Sequence, residues 1–294
     1  MYNPVSGRHS FKKKINIVKD VFAKTDHLLD IYESKEPHDL RRQAAKLAAS
    51  YDVFLVAGGD GTINEVVNGL MILEKRPILG ILPGGTANDT AAMLGIPKNL
   101  KSALKLILNE EPETIDVNQM NDRYFVYTAA SGVLSKISYD VSRRHIHKYG
   151  YLAYVFAAMK DLGMDYKYDL TIEYENQTLD IECMMVLGLA SRRVGGIWLN
   201  NFSHSKLNDG LFELRIFKRY RTFRIFRLLS FFLRGGRKLK EDYHLISSHY
   251  KIKASDDVKW NVDGEFAMMG SIEIKVHQKA LDVYASKRIK KRSF

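Results

Sequence analysis

Apolar positions fall into two regimes along this 294-residue chain. In the first, short apolar runs alternate with stretches of helical spacing. Residues 11–24 and 39–50 carry apolar side chains three and four apart, as an amphipathic helix does, with a short apolar run at 28–32 between them. Residues 53–57 and 78–82 are continuous apolar runs, which is how strands covered on both faces read, and helical spacing returns at 63–73 and 100–108. Strand and helix in turn predict βαβ units around a parallel sheet. Beyond Ile115 the pattern changes. Residues 124–128, 170–174, 181–189, 211–217, 250–253, 258–262 and 272–276 are rich in β-branched and aromatic residues, with Asn176 and Gly210 at turns. Helical spacing interrupts them only at 151–162 and 220–233.

The fold class predicted is therefore α/β: an N-terminal Rossmann-like, parallel-sheet domain over 1–118, expected to be rejoined by 280–294, and a C-terminal β-rich, sandwich-like domain over 119–279. A βαβ domain should open on a strand, yet only Met1 and Tyr2 precede the Asn3-Pro4 turn. The expectation is that the natural start lies upstream. The basic tail KRIKKRSF reads as a solvated end.

Two segments carry candidate chemistry. In VFLVAGGDGTINE (53–65) a buried strand runs into Gly58, Gly59 and Gly61 and then a helix. Glycine lets backbone amides approach an anion, and a helix N-terminus offers free N–H groups. Thr62 is a candidate N-cap, with Glu65 completing a capping box. In ILPGGTAND (81–89) a second strand repeats the plan. Two such loops at the carboxyl end of one sheet can converge on one nucleotide. Each alone reads equally as a tight strand–helix turn with a good cap. Neither is a Walker A sequence or a G-x-G-x-x-G motif.

These residues resemble the diacylglycerol-kinase catalytic family, specifically its bacterial lipid kinases. The matching pieces are NPVSG (3–7), GGDGT (58–62) with NEVVNG (64–69), PGGTAND (83–89), KLNDGL (206–211) and VDGE (262–265). GGDGT alone is shared with NAD kinases and phosphofructokinases; the ordered set is more specific. The resemblance implies that Asn3, Pro4, Val5, Ser6, Gly7, Ser34, Gly59, Asp60, Gly61, Thr62, Ile63, Asn64, Glu65 and Thr86 hold ATP. It puts Asp60 beside the phosphates and the catalytic Mg2+. It puts a second, structural Mg2+ on Asp209 and the backbone carbonyls of Lys206 and Leu211, oxygen donors that suit a hard cation. Glu265 becomes the base that deprotonates a lipid hydroxyl, with Asp263 orienting that hydroxyl or helping a metal. An extended Asp263-Gly264-Glu265 would point both carboxylates to one face; an Asp-Gly hairpin turn is the plainer reading. Asp89 and Asp116 match positions in a water and metal network. Thr90 and Ala92 depart from the family, which has an aromatic residue and an arginine there, and Arg8 is the candidate substitute charge.

Composition narrows the partners less. There are 45 Lys and Arg against 34 Asp and Glu, a net charge of +11. That suits nucleic acid, a phosphate-bearing ligand or an anionic membrane. Residues 217–240, FKRYRTFRIFRLLSFFLRGGRKLK, can place Arg221, Arg224 and Arg227 on one helical face and Phe223, Phe226, Leu229 and Leu233 on another. Such a helix suits a membrane surface or ordinary packing, and exposure of Phe231 or Phe232 would favour the membrane. His145 and His147 have no second ligand pair, Cys183 lies in an apolar run, and Trp198 and Trp260 read as packing residues.

The reading these observations favour is an ATP- and magnesium-dependent kinase of diacylglycerol, cytoplasmic and peripheral at the inner membrane face. Alternatives are a sphingoid or other lipid-alcohol kinase, an NAD kinase and an inactive lipid- or nucleotide-binding regulator. A nucleic-acid binder would leave both glycine loops and VDGE unused. A homodimer is compatible with the sequence.

Overall fold

The computed structural model describes residues 1–4, 11–132, 167–202, 206–220 and 224–294. The chain forms two compact units, one of Met1–Val117 with Gln278–Phe294 and one of Asn118–His277. It leaves the first within β3 (Pro112–Met120) and returns within β15 (Ile272–Tyr284).

The first unit is the α/β one. The two continuous apolar runs become β1 (Val53–Gly58) and β2 (Ile78–Pro83), paired in parallel from Val53↔Ile78 to Gly58↔Pro83. The end of β15 lies parallel beside β2 through Val283↔Leu79. On the other side of β1, Tyr2 alone bridges Ala57 and Glu33, both in parallel. Tyr2 is buried, and its main chain is bonded on both sides (Tyr2 N to Tyr32 O, Ser34 N to Tyr2 O). The apolar run at 28–32 forms no ladder. Its partner is one residue long, so only Glu33 is paired, and Leu28 and Ile31 are left exposed.

Among the described residues these strands are accompanied by α1 (Ile15–Phe22), α2 (Asp39–Leu47), α3 (Asp60–Leu70), α4 (Asp89–Met93) and α5 (Leu100–Asn109). Helix α5 is capped by the Asn99 side chain, which accepts from Ser102 N at 3.1 Å. The tail is not a loose end. Lys287–Ser293 forms a short helix whose Ile289 is buried and whose Lys290 pairs with Glu113 at 3.4 Å.

The second unit is antiparallel and β-rich. β6 (Tyr168–Tyr174) and β7 (Gln177–Leu189) form a hairpin through Glu175 and Asn176, both at positive φ, as a type I′ turn needs. β7 is central. It pairs with β6, with β5 (Thr128–Gly132) and with β10 (Phe212–Lys218). β10 continues to β11 (Tyr243–Ser247), β6 to β12 (His249–Lys253), and β5 to β13 (Lys259–Val262). The apolar run at 124–128 is split between β4 (Arg123–Phe125) and β5, because the N–H groups of Val126, Tyr127 and Thr128 turn to the side chain of Asp263.

The main core of this unit sets Phe125 edge-on to Phe212 at 5.4 Å, beside Trp260, whose indole N–H donates to Gly270 O at 2.8 Å. Cys183 sits there too, with its thiol pushed up to about 12 by burial. A second cluster packs α6 (Arg224–Leu233) on the other side. Its Phe231 meets Phe217 edge-on at 4.8 Å.

The structure settles the condition set for helix α6 and corrects the expectations for Arg227 and Trp198. Phe231 is buried, while Phe226 and Leu233 are the exposed residues. Arg227 faces inward, with its guanidinium 3.5 Å over the Tyr220 ring. Trp198 is exposed, unlike Trp260. Arg221, Phe223, His145, His147 and the helix expected at 151–162 lie outside the described residues. Among the described residues no helix is long and apolar enough to cross a membrane.

Truncating Phe231 to Ala should cost about 3–5 kcal/mol, because it empties the second cluster. Phe226→Ala should change stability by no more than about 0.5 kcal/mol. Urea unfolding of both variants measures the contrast.

Candidate active site

β1 and β2 end side by side, and each turns into a helix. Gly84 N–H donates to Gly58 O at 2.8 Å, which locks the two turns together. Beyond it the loops touch backbone to backbone. A Cβ on Gly85 would lie 2.5 Å from Gly59 Cα, and one on Gly59 would lie 3.1 Å from Gly85 Cα. None of Gly58, Gly59, Gly61, Gly84 and Gly85 has a positive φ. Gly59, Gly84 and Gly85 are required by close approach of backbone rather than by an unusual dihedral.

The expected capping box at Thr62 and Glu65 is not formed. Gly59 is the N-cap, in extended conformation, and α3 begins at Asp60 with no side-chain cap. Thr62 lies inside the first turn and packs over Gly58, where a Cβ would meet its side chain at 2.5 Å. Asp60 reaches across to the other loop instead. Its Oδ1 accepts from Thr90 N at 2.9 Å and from Thr90 Oγ1 at 3.0 Å. Both bonds use one oxygen, so Oδ2 has no protein partner among the described residues. The second loop is closed by Asn88, in left-handed conformation, whose amide accepts from Gly85 N at 2.7 Å and donates to Gly85 O at 2.8 Å. Thr86 stands exposed at its tip.

The other nucleotide candidates gather at the same sheet end only in part. Ala57 N–H donates to Met1 O and Ser34 N–H to Tyr2 O, both at 2.9 Å. Asn3 and Ser34 therefore follow directly on residues that flank the end of β1. Pro4 comes next, while Val5, Ser6, Gly7 and Arg8 lie outside the described residues. Ile63 and Asn64 are buried in α3, where Asn68 Nδ2 donates to Asn64 Oδ1 at 3.0 Å; Glu65 is half-buried. Asp89 and Asp116 are buried, and Asp116 Oδ1 accepts from Lys279 N at 2.8 Å.

In the second unit, Asp263-Gly264-Glu265 is not extended. Asp263 (φ 49°) and Gly264 (φ 83°) form the tight turn between β13 and β14 (Glu265–Met269), with Val262 opposite Glu265. The two carboxylates therefore have different fates. Asp263 is buried and accepts from the main-chain N–H of Val126 at 2.8 Å, Tyr127 at 2.9 Å and Thr128 at 3.2 Å. Both its oxygens are engaged with backbone, so it is a fixed post of the fold. Glu265 stands outside, its side chain 50 % exposed, 3.1 Å from the guanidinium of Arg123. Arg123 also donates to Phe266 O, which ties the carboxylate to its own strand. No motif in the sequence marks Arg123, because its side chain reaches the turn from a separate hairpin, β3 with β4.

Asp209 closes the loop before β10. Its Oδ2 accepts from Lys206 N at 2.8 Å and its Oδ1 from Leu211 N at 3.1 Å, with Gly210 at φ 77° between them. Each carboxylate oxygen keeps a further lone pair. One carboxylate with neighbouring carbonyls is a donor set that fits a hard cation. Among the described residues no three His, Cys, Asp or Glu form a metal cluster.

A family model, the diacylglycerol kinase catalytic domain, matches residues 1–120. A Bacillus subtilis (strain 168) protein named diacylglycerol kinase is 35% identical over 92% of this chain and 89% of its own length. The chain belongs to the diacylglycerol kinase family. A Staphylococcus aureus (strain bovine RF122 / ET3-1) protein of the same name is 31% identical over 97% of this chain and 91% of its own. Among solved structures, a diacylglycerol kinase of Bacillus anthracis strain Sterne superposes with a TM-score of 0.79 at 26% identity, covering 98% of this chain and 96% of that one. Another structure from that organism reaches a TM-score of 0.85 at 25% identity over 98% and 94%. The family makes the chain a lipid kinase, and kinase chemistry implies ATP.

Asp263→Ala should destabilise this kinase by about 3 kcal/mol or more, since it leaves three main-chain N–H groups without their acceptor. Asp263→Asn should recover part of that loss through its remaining carbonyl. Urea midpoints measure both. Thr90→Val should cost about 1 kcal/mol, the share of one lost hydrogen bond to Asp60.

Proposed function

We propose that this lipid kinase transfers the γ-phosphoryl group of ATP to the free hydroxyl of diacylglycerol, giving phosphatidic acid. The observation that carries the phosphoryl-transfer reading is the closure of two glycine turns on each other beside Asp60. It presents backbone and one half-engaged carboxylate at the carboxyl end of parallel strands, where an open α/β sheet takes its ligand. The choice of acceptor rests on the names of the curated relatives.

Asn3, Pro4, Val5, Ser6, Gly7, Ser34, the segment 59–65 and Thr86 would line the nucleotide. Asp60 Oδ2 and, for a second ion, Asp209 with the carbonyls of Lys206 and Leu211 would hold magnesium, which supplies charge neutralisation on the phosphate oxygens. Glu265 would accept the proton of the acceptor hydroxyl as its oxygen bonds to the γ-phosphorus and the bond to the ADP oxygen breaks. Arg123 orients that carboxylate through their ion pair. Asp263 supports it by fixing the turn. Thr90 supports Asp60, so the departure from the aromatic residue of the family gives Asp60 a hydroxyl partner.

Magnesium-dependent ATP consumption should appear with diacylglycerol in mixed micelles and not with NAD. Glu265→Gln should lower kcat about 10²–10⁴-fold without loss of fold, the range expected for removing a general base. An unchanged rate would remove Glu265 from the reaction. A panel of lipid alcohols decides the acceptor: faster turnover of a sphingoid base would overturn diacylglycerol while leaving the kinase reading intact.

A further inference from the structure

We infer that Trp198, Phe226 and Leu233, with the cationic residues around them, form a docking face for an anionic lipid bilayer. The face belongs wholly to the second unit and is built from two segments that pack as one. The first is the small hairpin of β8 (Arg193–Val194) and β9 (Ile197–Trp198), closed by Leu199 N–H donating to Arg192 O at 2.7 Å. The second is α6 with the turn after it. Val194, Ile197, Leu199 and Phe202 share a cluster with Leu228 and Phe231. Asn201 pins the helix end, its N–H donating to Gly235 O at 2.8 Å and its amide to Arg234 O at 3.0 Å. A Cβ on Gly236 would lie 2.9 Å from that of Leu199, the residue after Trp198.

This packing leaves large apolar groups facing outward. Trp198 is 44% exposed, Phe226 68% and Leu233 82%. Phe226 and Leu233 are seven residues apart, so they stand within about 20° of each other on the helix, away from buried Leu228 and Phe231. At the hairpin tip, Gly195 and Gly196 have nothing within 4 Å of a built Cβ, so the tip projects clear of the unit.

Charge selects the partner. Arg234, Arg237 and Lys238 are exposed, and Arg192 and Arg193 are half-buried at the hairpin, with the Arg193 guanidinium 5.5 Å from the Trp198 ring centre. Neither 191–202 nor 217–240 contains an acidic residue. A tryptophan, a phenylalanine and a leucine set among arginines match the chemistry of the lipid headgroup boundary: apolar groups enter it while cations meet anionic headgroups. An acidic protein surface would use the cations but has no call for three exposed apolar side chains.

The test is co-sedimentation of the full chain with phosphatidylcholine vesicles, with and without phosphatidylglycerol, in the absence of ATP and acceptor. Binding should require phosphatidylglycerol and should shift tryptophan emission to the blue, a shift lost in Trp198→Phe because Trp260 is already buried. Arg237→Ala with Lys238→Ala should lower partitioning about thirty-fold, from about 1 kcal/mol per cation. Phe226→Ser with Leu233→Ser should lower it by about tenfold or more, with the urea midpoint unchanged. Equal partitioning of all variants, or no binding to the anionic vesicles, overturns the assignment. So does a dimer in light scattering that Phe226→Ser with Leu233→Ser dissolves, since the face would then be a self-interface. The assay needs no turnover, so its failure leaves the acceptor assignment standing, and failure of that assignment leaves the docking face standing.

Discussion

The approach of Gly59 and Gly85 is the constraint on which the first unit depends. Two strands that end level with each other can bring their turns into contact only if neither turn carries a side chain at the meeting point. Once they meet, other features follow. Asn88 closes the second turn from within, accepting from Gly85 N–H and donating to Gly85 O. Asp60, emerging beside the contact, finds its partner on the opposite loop rather than in its own helix. The sequence ILPGGTAND is thus a mate for VFLVAGGDGT, the two joined by Gly84 N–H on Gly58 O and by the contact of Gly85 with Gly59.

The second unit uses a different device to the same end. A hairpin of two residues holds one carboxylate inside and one outside. The inner one, Asp263, gathers three main-chain donors that strand pairing leaves over at residues 126–128. The outer one, Glu265, is steadied by an arginine from a neighbouring hairpin. Rigidity comes from the buried acid and availability from the exposed one. Neighbouring residues with the same functional group are separated by a turn of the backbone, which left-handed conformations at Asp263 and Gly264 make possible.

Much of this was legible in the residues. Continuous apolar runs located β1 and β2 to within a residue, because a strand covered on both faces has no polar position to blur its ends. The ordered motifs gave the family. What escaped were features settled by tertiary partners. The run at 28–32 has strand-like residues but only one residue to pair with. Helix α3 begins three positions before its apolar spacing, because polar Asp60, Gly61 and Thr62 form its first turn. The Asp-Gly hairpin turn is the plainer reading of residues 263–265 and is the one the structure adopts; what the sequence does not show is that the turn buries one carboxylate and exposes the other. The exposure of Trp198 is not legible, because an aromatic residue in sequence does not announce which side of its hairpin faces water.

The burial of Cys183 carries a practical consequence. It is the only sulfhydryl in the chain, and it is enclosed in the strand that three others flank. Maleimides and methanethiosulfonates attack the ionised sulfur, and here neither ionisation nor access is available in the native state. Any cysteine placed on the surface would therefore be the sole reactive handle, and spin labels or fluorophores could be attached one at a time without altering the natural residue.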